Sequence, residues 1–355
     1  MGKRTPSPPG EIRVHVHHPD AGGRISLRVS TDWERDVEPV EVDQEAGRFE
    51  FVIETEEPFV YFKPVLRGDG GPRWAAGADR FATSGAARVW DVFPAFEEAP
   101  ARVGELEQLG SEHGSWSYRV FLPANYDENT LHRYPVLYMN DGHNLFFREE
   151  AAVNAEWGVQ DTLRQLVEMT SIEPVIAVGV YPGDREADYA RHPGSRYPRF
   201  LAEHLKPHLD RRLRTLPGPE HTATLGSSLG GVAALACAWQ HPEAFGMAGC
   251  LSATFGYADD LATQVLSEDK PEVRVYLDSG WPRDNYEVTR DMRARLAWAG
   301  FREGIDLLYF AFPGDRHSEH AWGDRCHVPF QFFFGERPSR RSSAGEHAAG
   351  AAQDA

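Results

Sequence analysis

Cysteine is scarce in this chain, with three in 355 residues: Cys237, Cys250 and Cys326. An odd count, with the first two among small apolar neighbours, reads as buried thiols and excludes a disulfide framework and a cysteine metal site. Positive charge is also short, 37 Lys and Arg against 54 Asp and Glu, for a formal net charge of -17. Nucleic acids and anionic membranes are held through clustered Lys and Arg, so neither is expected as a partner. No apolar run reaches membrane-spanning length, and the opening "MGKRTPSPPGEIRVHVHH" is basic without the apolar core of a signal peptide. The expectation is a soluble, cytoplasmic protein. Internal repeats are missing too.

What is present divides by pattern. Residues 1–98 read as short β segments, "EIRVHVHH", "GRISLRVS", "RFEFVIET", "FVYFKPVL" and "ARVWDVFP", punctuated by Gly and Pro, which suggests a small β-sandwich. Residues 99–110 read as a linker. Over 111–337, apolar strands such as "YPVLYMN", "PVIAVGVY", "TATLG", "EVRVYLDSG" and "DLLYFAF" alternate with helical stretches, as in a mostly parallel sheet covered on both faces. The small, polar tail 338–355 is expected to be disordered.

One stretch carries chemistry. "HTATLGSSLGGVAALACAW" places Gly226-Ser227-Ser228-Leu229-Gly230 between a β-branched run and an alanine-rich one. G-x-S-x-G on a strand-to-helix turn is the nucleophile elbow, with Ser228 as nucleophile and the Leu229 backbone N–H as half of an oxyanion hole. A plain Gly-rich turn is the alternative. A serine needs a base oriented by an acid, and in this fold both follow the nucleophile at the ends of later strands. His317, behind "LLYFAFPGD", is the base by position, ahead of His320 and His327. For the acid, "VRVYLDSGWPRDNYEV" offers Asp284 in the loop, preferred, and Asp278 at the strand end, with helix capping as the other reading of Asp284. The second oxyanion donor is sought after an earlier strand, in the tight turn Asp141-Gly142-His143-Asn144.

These motifs, in this order, resemble the putative-esterase family of α/β-hydrolases, which includes enterochelin, feruloyl and acetylxylan esterases, esterase D and mycolyltransferases. The carriers are "YPVLYMNDGHNLF", "AEWGVQDTL", "GDREADY", "GSSLGG" followed by "HPEAFG", and "HSEHAW". The resemblance implies an α/β-hydrolase fold, Ser228 and His317 as nucleophile and base, Asp284 as acid with Asp278 as alternative, and oxyanion donors at Leu229 and around His143. It also makes Asn144, Trp157, Arg185 and Tyr189 candidate substrate contacts, with a structural Arg and core aromatics as the equal alternative. The chemistry it implies is serine carboxylic-ester hydrolysis of acyl esters of sugars or related small molecules, with no cofactor. The alternatives are an acyltransferase on the same triad and a non-catalytic carbohydrate-binding protein.

The first 98 residues resemble, less specifically, a starch-binding-type module through "FVYFKPVL", "RWAAGADRFA" and "VWDVFP". Glycan is therefore a candidate partner. Trp33 and Trp74 are candidate sugar-stacking residues, with burial in the small core the preferred reading. His15 and His17 share a strand face, but no third ligand lies near them in sequence, so no metal is expected there.

Overall fold

In a computed structural model of the chain, residues 10–19, 24–84, 88–190 and 196–335 are described. The expected disordered tail lies outside them.

The first half consists of strands Gly10–His17 (β1), Arg24–Val29 (β2), Asp32–Val37 (β3), Glu41–Asp43 (β4), Arg48–Thr55 (β5), Phe59–Gly68 (β6), Gly71–Trp74 (β7), Arg80–Thr83 (β8) and Val89–Val92 (β9). They form two sheets, ordered β4-β5-β1-β9 and β3-β2-β6-β7, with β8 also paired to β6. Period-two alternation drives the arrangement: Ile12, Val14 and Val16 of β1, Phe49, Phe51 and Ile53 of β5, and Ile25, Leu27 and Val29 of β2 share one core. Trp74 departs from the expected burial, with 44% of its surface exposed. It lies on β7, whose four residues all face solvent, so no core position is open to it. Trp33, half-buried, has its ring centroid 6.3 Å from that of Trp74.

Strands Arg102–Val103 (β10), Glu107–Ser111 (β11), Gly114–Leu122 (β12), Val136–Met139 (β13), Ile176–Tyr181 (β14), Thr222–Ser227 (β15), Met247–Leu251 (β16), Arg274–Arg283 (β17) and Leu307–Arg316 (β18) form one sheet. Its order is β10-β12-β14-β13-β15-β16-β17-β18, with β11 on β12. Residues 99–110, read from sequence as a linker, thus contribute β10 and most of β11. From β14 across to β18 every pairing is parallel, while β12 runs antiparallel to β14. Every residue of β13, β15 and β16 is buried, as both faces of a covered parallel sheet require.

The helices are Val159–Glu168 (α1), Arg185–Tyr189 (α2), Tyr197–Phe200 (α3), Lys206–Arg212 (α4), Leu229–Gln240 (α5), Leu261–Ser267 (α6), Tyr286–Trp298 (α7), Glu319–Arg325 (α8) and His327–Phe334 (α9). Residues of α4 to α7 join one apolar cluster with Val136 and Tyr138 of β13; those of α1, α8 and α9 join another with Leu137 and Met139. Alternate residues of one strand thus feed the two faces. Helix α5 is buried from Gly230 to Trp239, which its all-apolar sequence dictates. Among the described residues, no helix is long and apolar enough to cross a membrane.

Close packing of the turn and of α5 on its neighbours explains the glycines. A Cβ on Gly226 would sit 2.5 Å from the carbonyl oxygen of Gly230, and one on Gly231 2.8 Å from Ala253 Cβ. Gly226→Ala is expected to cost about 1–3 kcal/mol in urea unfolding, because backbone must move. Gly68→Ala, where a Cβ meets nothing within 4 Å, is expected to stay within about 0.5 kcal/mol of wild type.

Candidate active site

Parallel strands deliver their C-terminal ends to one edge of the sheet, and the loops there build the site. The turn after β15 holds Ser228 at φ 54°, ψ -125°, a conformation side chains rarely adopt. It is fixed by its own backbone: Ser228 N–H donates to Leu251 O (3.0 Å), and Ser228 O accepts from Gly231 (3.1 Å) and Thr254 (3.2 Å). Leu229 follows as the first residue of α5, where an N–H has no intrahelical partner.

After β13 the chain turns through Asn140 to Asn144. Asp141 adopts φ 57°, and residues Gly142–Asn144 form one turn of 3-10 helix. Asp141 N–H donates to Tyr189 Oη (2.8 Å), and its carboxylate accepts from Arg185 Nε and Nη2, both at 2.8 Å. A two-point Arg–carboxylate pair fixes orientation as well as charge. Arg185 and Tyr189 therefore hold the loop bearing His143. Tyr189 is 1% exposed, and Arg185, partly exposed, has its guanidinium engaged by Asp141. Burial lowers the His143 imidazole below its ordinary value, with Arg185 adding to the effect and Asp141 opposing it.

Asn144 and Trp157, also candidate substrate contacts from sequence, are buried and hydrogen-bond to Glu319. Asn144 Nδ2 donates to Glu319 Oε1 (3.1 Å), and Trp157 Nε1 donates to Glu319 Oε2. Asn144 Oδ1 accepts from Ala152 N–H (3.0 Å). These bonds tie the His143 loop to the start of α8. Burial raises the Glu319 carboxyl, opposed by the Trp157 hydrogen bond.

His317 closes the β18 loop. Its Nδ1 lies 2.7 Å from Asp284 Oδ1, and its ring meets that of Trp322 edge-on at 4.8 Å. Asp284 has no exposed side-chain surface and is fully engaged: Oδ2 accepts from Gly280 N–H (2.6 Å) and the Ser252 hydroxyl, and Oδ1 from Asn285 N–H (2.8 Å). Burial disfavours its charge, but these bonds and His317 outweigh it and hold the carboxyl below the ordinary carboxylate range. Asp278 makes no hydrogen bond to His317 among the described residues. It is fully buried, accepts from Tyr276 Oη (2.8 Å) and Arg325 Nε (3.1 Å), and burial pushes it up to about 6 against the pull of Arg325. His320 and His327 are exposed on the following helices. The Ser228 hydroxyl makes no hydrogen bond to His317 among the described residues.

Sequence reasoning missed Ser252, Arg325 and Glu319 as organisers. Ser252 Oγ accepts from Trp322 Nε1 (3.0 Å) and Arg325 Nη2 (2.6 Å) while donating to Asp284. Glu319 and Trp322 stand in the "HSEHAW" motif, which marked them without giving their partners. A single Ser after a strand or Arg in a short helix carries no such signal.

The low Asp284 carboxyl has a pH consequence. A group ionised more easily when folded stabilises the fold above its unfolded value of about 3.9, and that stabilisation is lost as pH falls toward the folded value. Between pH 5 and pH 3, wild type is expected to lose about 1 kcal/mol more stability than Asp284→Asn in urea unfolding.

The uncharacterized protein YbbA of Bacillus subtilis (strain 168) is 26% identical over 194 residues, covering 51% of this chain and 76% of its own length. The enterobactin esterase of Shigella flexneri, determined in the presence of enterobactin, shares the fold over 93% of this chain and 94% of its own, with a TM-score of 0.55 at 13% identity. A ferulic acid esterase from Anaeromyces mucronatus, in complex with ferulic acid, covers 67% of this chain and 92% of its own, with a TM-score of 0.51 at 20% identity. The first of these structural likenesses takes in the β-rich first half; the second spans about as much as the hydrolase half alone. The family model described as "Putative esterase" matches residues 113–324, and the chain belongs to that family of carboxylic-ester hydrolases.

Proposed function

We propose that the chain cleaves acyl esters through a Ser228–His317–Asp284 triad. The observation that carries this reading is the 2.7 Å contact between His317 Nδ1 and the buried Asp284, at the sheet edge where Ser228 sits on its constrained turn. Asp284 keeps the proton on Nδ1, leaving Nε2 free as base. His317 takes the Ser228 proton as Oγ attacks the ester carbonyl, and the backbone N–H groups of Leu229 and His143 hold the oxyanion. His317 then protonates the departing alkoxide. Water, deprotonated by His317, releases the acid and restores Ser228. Hydrogen bonds between nucleophile and base are often long without substrate and tighten when it binds.

Within the site, we assign positioning roles to Arg185 and Tyr189, through Asp141, and to Glu319, through Asn144 and Trp157. The substrates proposed are acyl esters of sugars or related small molecules. Solvent-facing aromatics on the first half support a sugar: Trp74 beside Trp33, and Phe59, Tyr61 and Phe81 grouped on β6 and β8 with centroids 5.2–5.8 Å apart. Such rings offer flat apolar faces to a pyranose. Residues 1–98 are proposed as the glycan-facing module and 111–337 as the catalytic one.

With p-nitrophenyl acetate and butyrate, Ser228→Ala is expected to lower kcat about 10⁴-fold or more, and Asp284→Asn about 10²–10⁴-fold, with KM little changed. Asp278→Asn is expected to act through stability and leave the folded enzyme's kcat within about threefold. Equal losses for the two Asp variants would reject the assignment of the acid.

A further inference from the structure

Three side chains outside the ester chemistry converge on the outer face of the first sheet. His15 and His17 alternate with the buried Val14 and Val16, so both imidazoles leave the same face of β1. Strand β9 runs parallel beside β1 with Asp91 opposite His15. The third ligand that local sequence lacks is thus brought in by strand pairing. Asp91 Oδ1 lies 2.7 Å from His17 Nε2 and 3.5 Å from His15 Nδ1, and one ligand atom from each of the three lies within 4.8 Å of the others. Ligand atoms held about 2.0–2.2 Å from a tetrahedral zinc are themselves about 3.3–3.6 Å apart, so side-chain adjustment alone reaches coordination.

We propose that His15, His17 and Asp91 form a binding site for a divalent transition-metal ion of the zinc type. Two neighbours organise it. His15 presents its other nitrogen, Nε2, to Glu50 Oε2 at 3.5 Å, from the facing position on β5. A carboxylate behind a ligating imidazole fixes its tautomer and orientation once the pair closes to hydrogen-bond distance, a shift of a few tenths of an ångström here. Glu50 is itself anchored by Arg13 at 3.0 Å. The His17 ring stacks on Phe93 at 4.7 Å and 15°, which fixes its plane. Both His side chains are 20% exposed and Asp91 is 55% exposed, so the ion has an approach from solvent and water can complete its shell. Two imidazoles and one carboxylate suit zinc, cobalt, nickel or copper rather than the all-oxygen shells of calcium and magnesium.

The ion would bridge the first strand of this half to its last, fastening β9 where the chain leaves for the hydrolase half. Asn129 Nδ2, from that second half, donates to His17 O (2.8 Å) and Pro94 O (2.9 Å), so the site lies beside a junction already tied by hydrogen bonds. A rival cluster, Glu112, His113 and His204, also brings three ligand atoms together, but Glu112 is 71% exposed and not held by a sheet partner side chain.

The test is equilibrium dialysis of the full chain, free of any histidine tag, against micromolar zinc chloride, with the bound metal counted. One equivalent is expected. It should disappear in the double variant His15→Asn/His17→Asn, weaken at least tenfold in Asp91→Asn, weaken about 10–100-fold in Glu50→Gln, and persist in His113→Asn/His204→Asn. Cobalt chloride should give the intense visible absorption of a four-coordinate ion in wild type and lose it in Asp91→Asn. Circular dichroism of Asp91→Asn, a near-isosteric change at an exposed side chain, separates lost binding from lost folding. The proposal is overturned if wild type retains no zinc, if Asp91→Asn binds as tightly as wild type, or if binding disappears only in His113→Asn/His204→Asn.

Discussion

The buried guanidinium of Arg325 is the interaction on which the site's order depends. It is 2% exposed and reaches Asp278 on β17 (3.0 Å), Asp315 on β18 (3.1 Å), Ser252 after β16 (2.6 Å) and the edge of Asp284 (3.6 Å). Burying such a charge is costly, and the cost is met only because its partners surround it. Removing one partner of a buried pair typically costs about 3–5 kcal/mol, a large part of a domain's stability of about 5–15 kcal/mol. Arg325 thus fastens α8, the helix that follows His317, to β17, β18 and the turn after β16 at once. The carboxylate that meets His317 is fixed by the same network through Ser252.

Two carboxylates six residues apart acquire opposite characters from this arrangement. Asp278 is sealed in the sheet, and burial raises it even beside Arg325. Asp284 is equally hidden from solvent but collects two backbone N–H groups, a hydroxyl and an imidazole, which favour its charged form. Hydrogen bonding, more than proximity to a cation, separates them. The other side of the site follows the same logic: the loop carrying His143 is held by Asp141 through Arg185 and by Asn144 through Glu319.

Much of this was legible in the sequence because it rests on local rules. Continuous apolar runs gave β13, β14 and β15 as strands of a covered parallel sheet, and alternation gave β1, β2, β5 and β6; β16, Met247–Leu251, carried no such signal. The glycines of "GSSLGG" are required by close approach: Gly226 to α5, Gly230 to the Asn140–Asp141 turn, and Gly231 to Ala253. What stayed hidden is what the fold assembles across distance. Arg325, Ser252 and Glu319 gain meaning only when separate strand ends meet. Trp74 lies on a solvent-facing edge strand and departs from its expected burial, since hydrophobic character does not reveal which strand has a second neighbour. Motif alone marks Asn144, Trp157 and Tyr189, and only the fold shows the loop-holding hydrogen bonds their polar atoms make. Asp91 joins His15 and His17 only through the parallel pairing of β9 with β1.

The central claim is that Ser228 is the activated nucleophile. Intact-mass spectrometry of the protein after exposure to a fluorophosphonate, followed by peptide mapping, tests it most directly. The account predicts a single adduct on the peptide containing Ser228 in wild type and none in Ser228→Ala. A folded wild-type protein that takes no label, or an adduct that persists in Ser228→Ala, would contradict it.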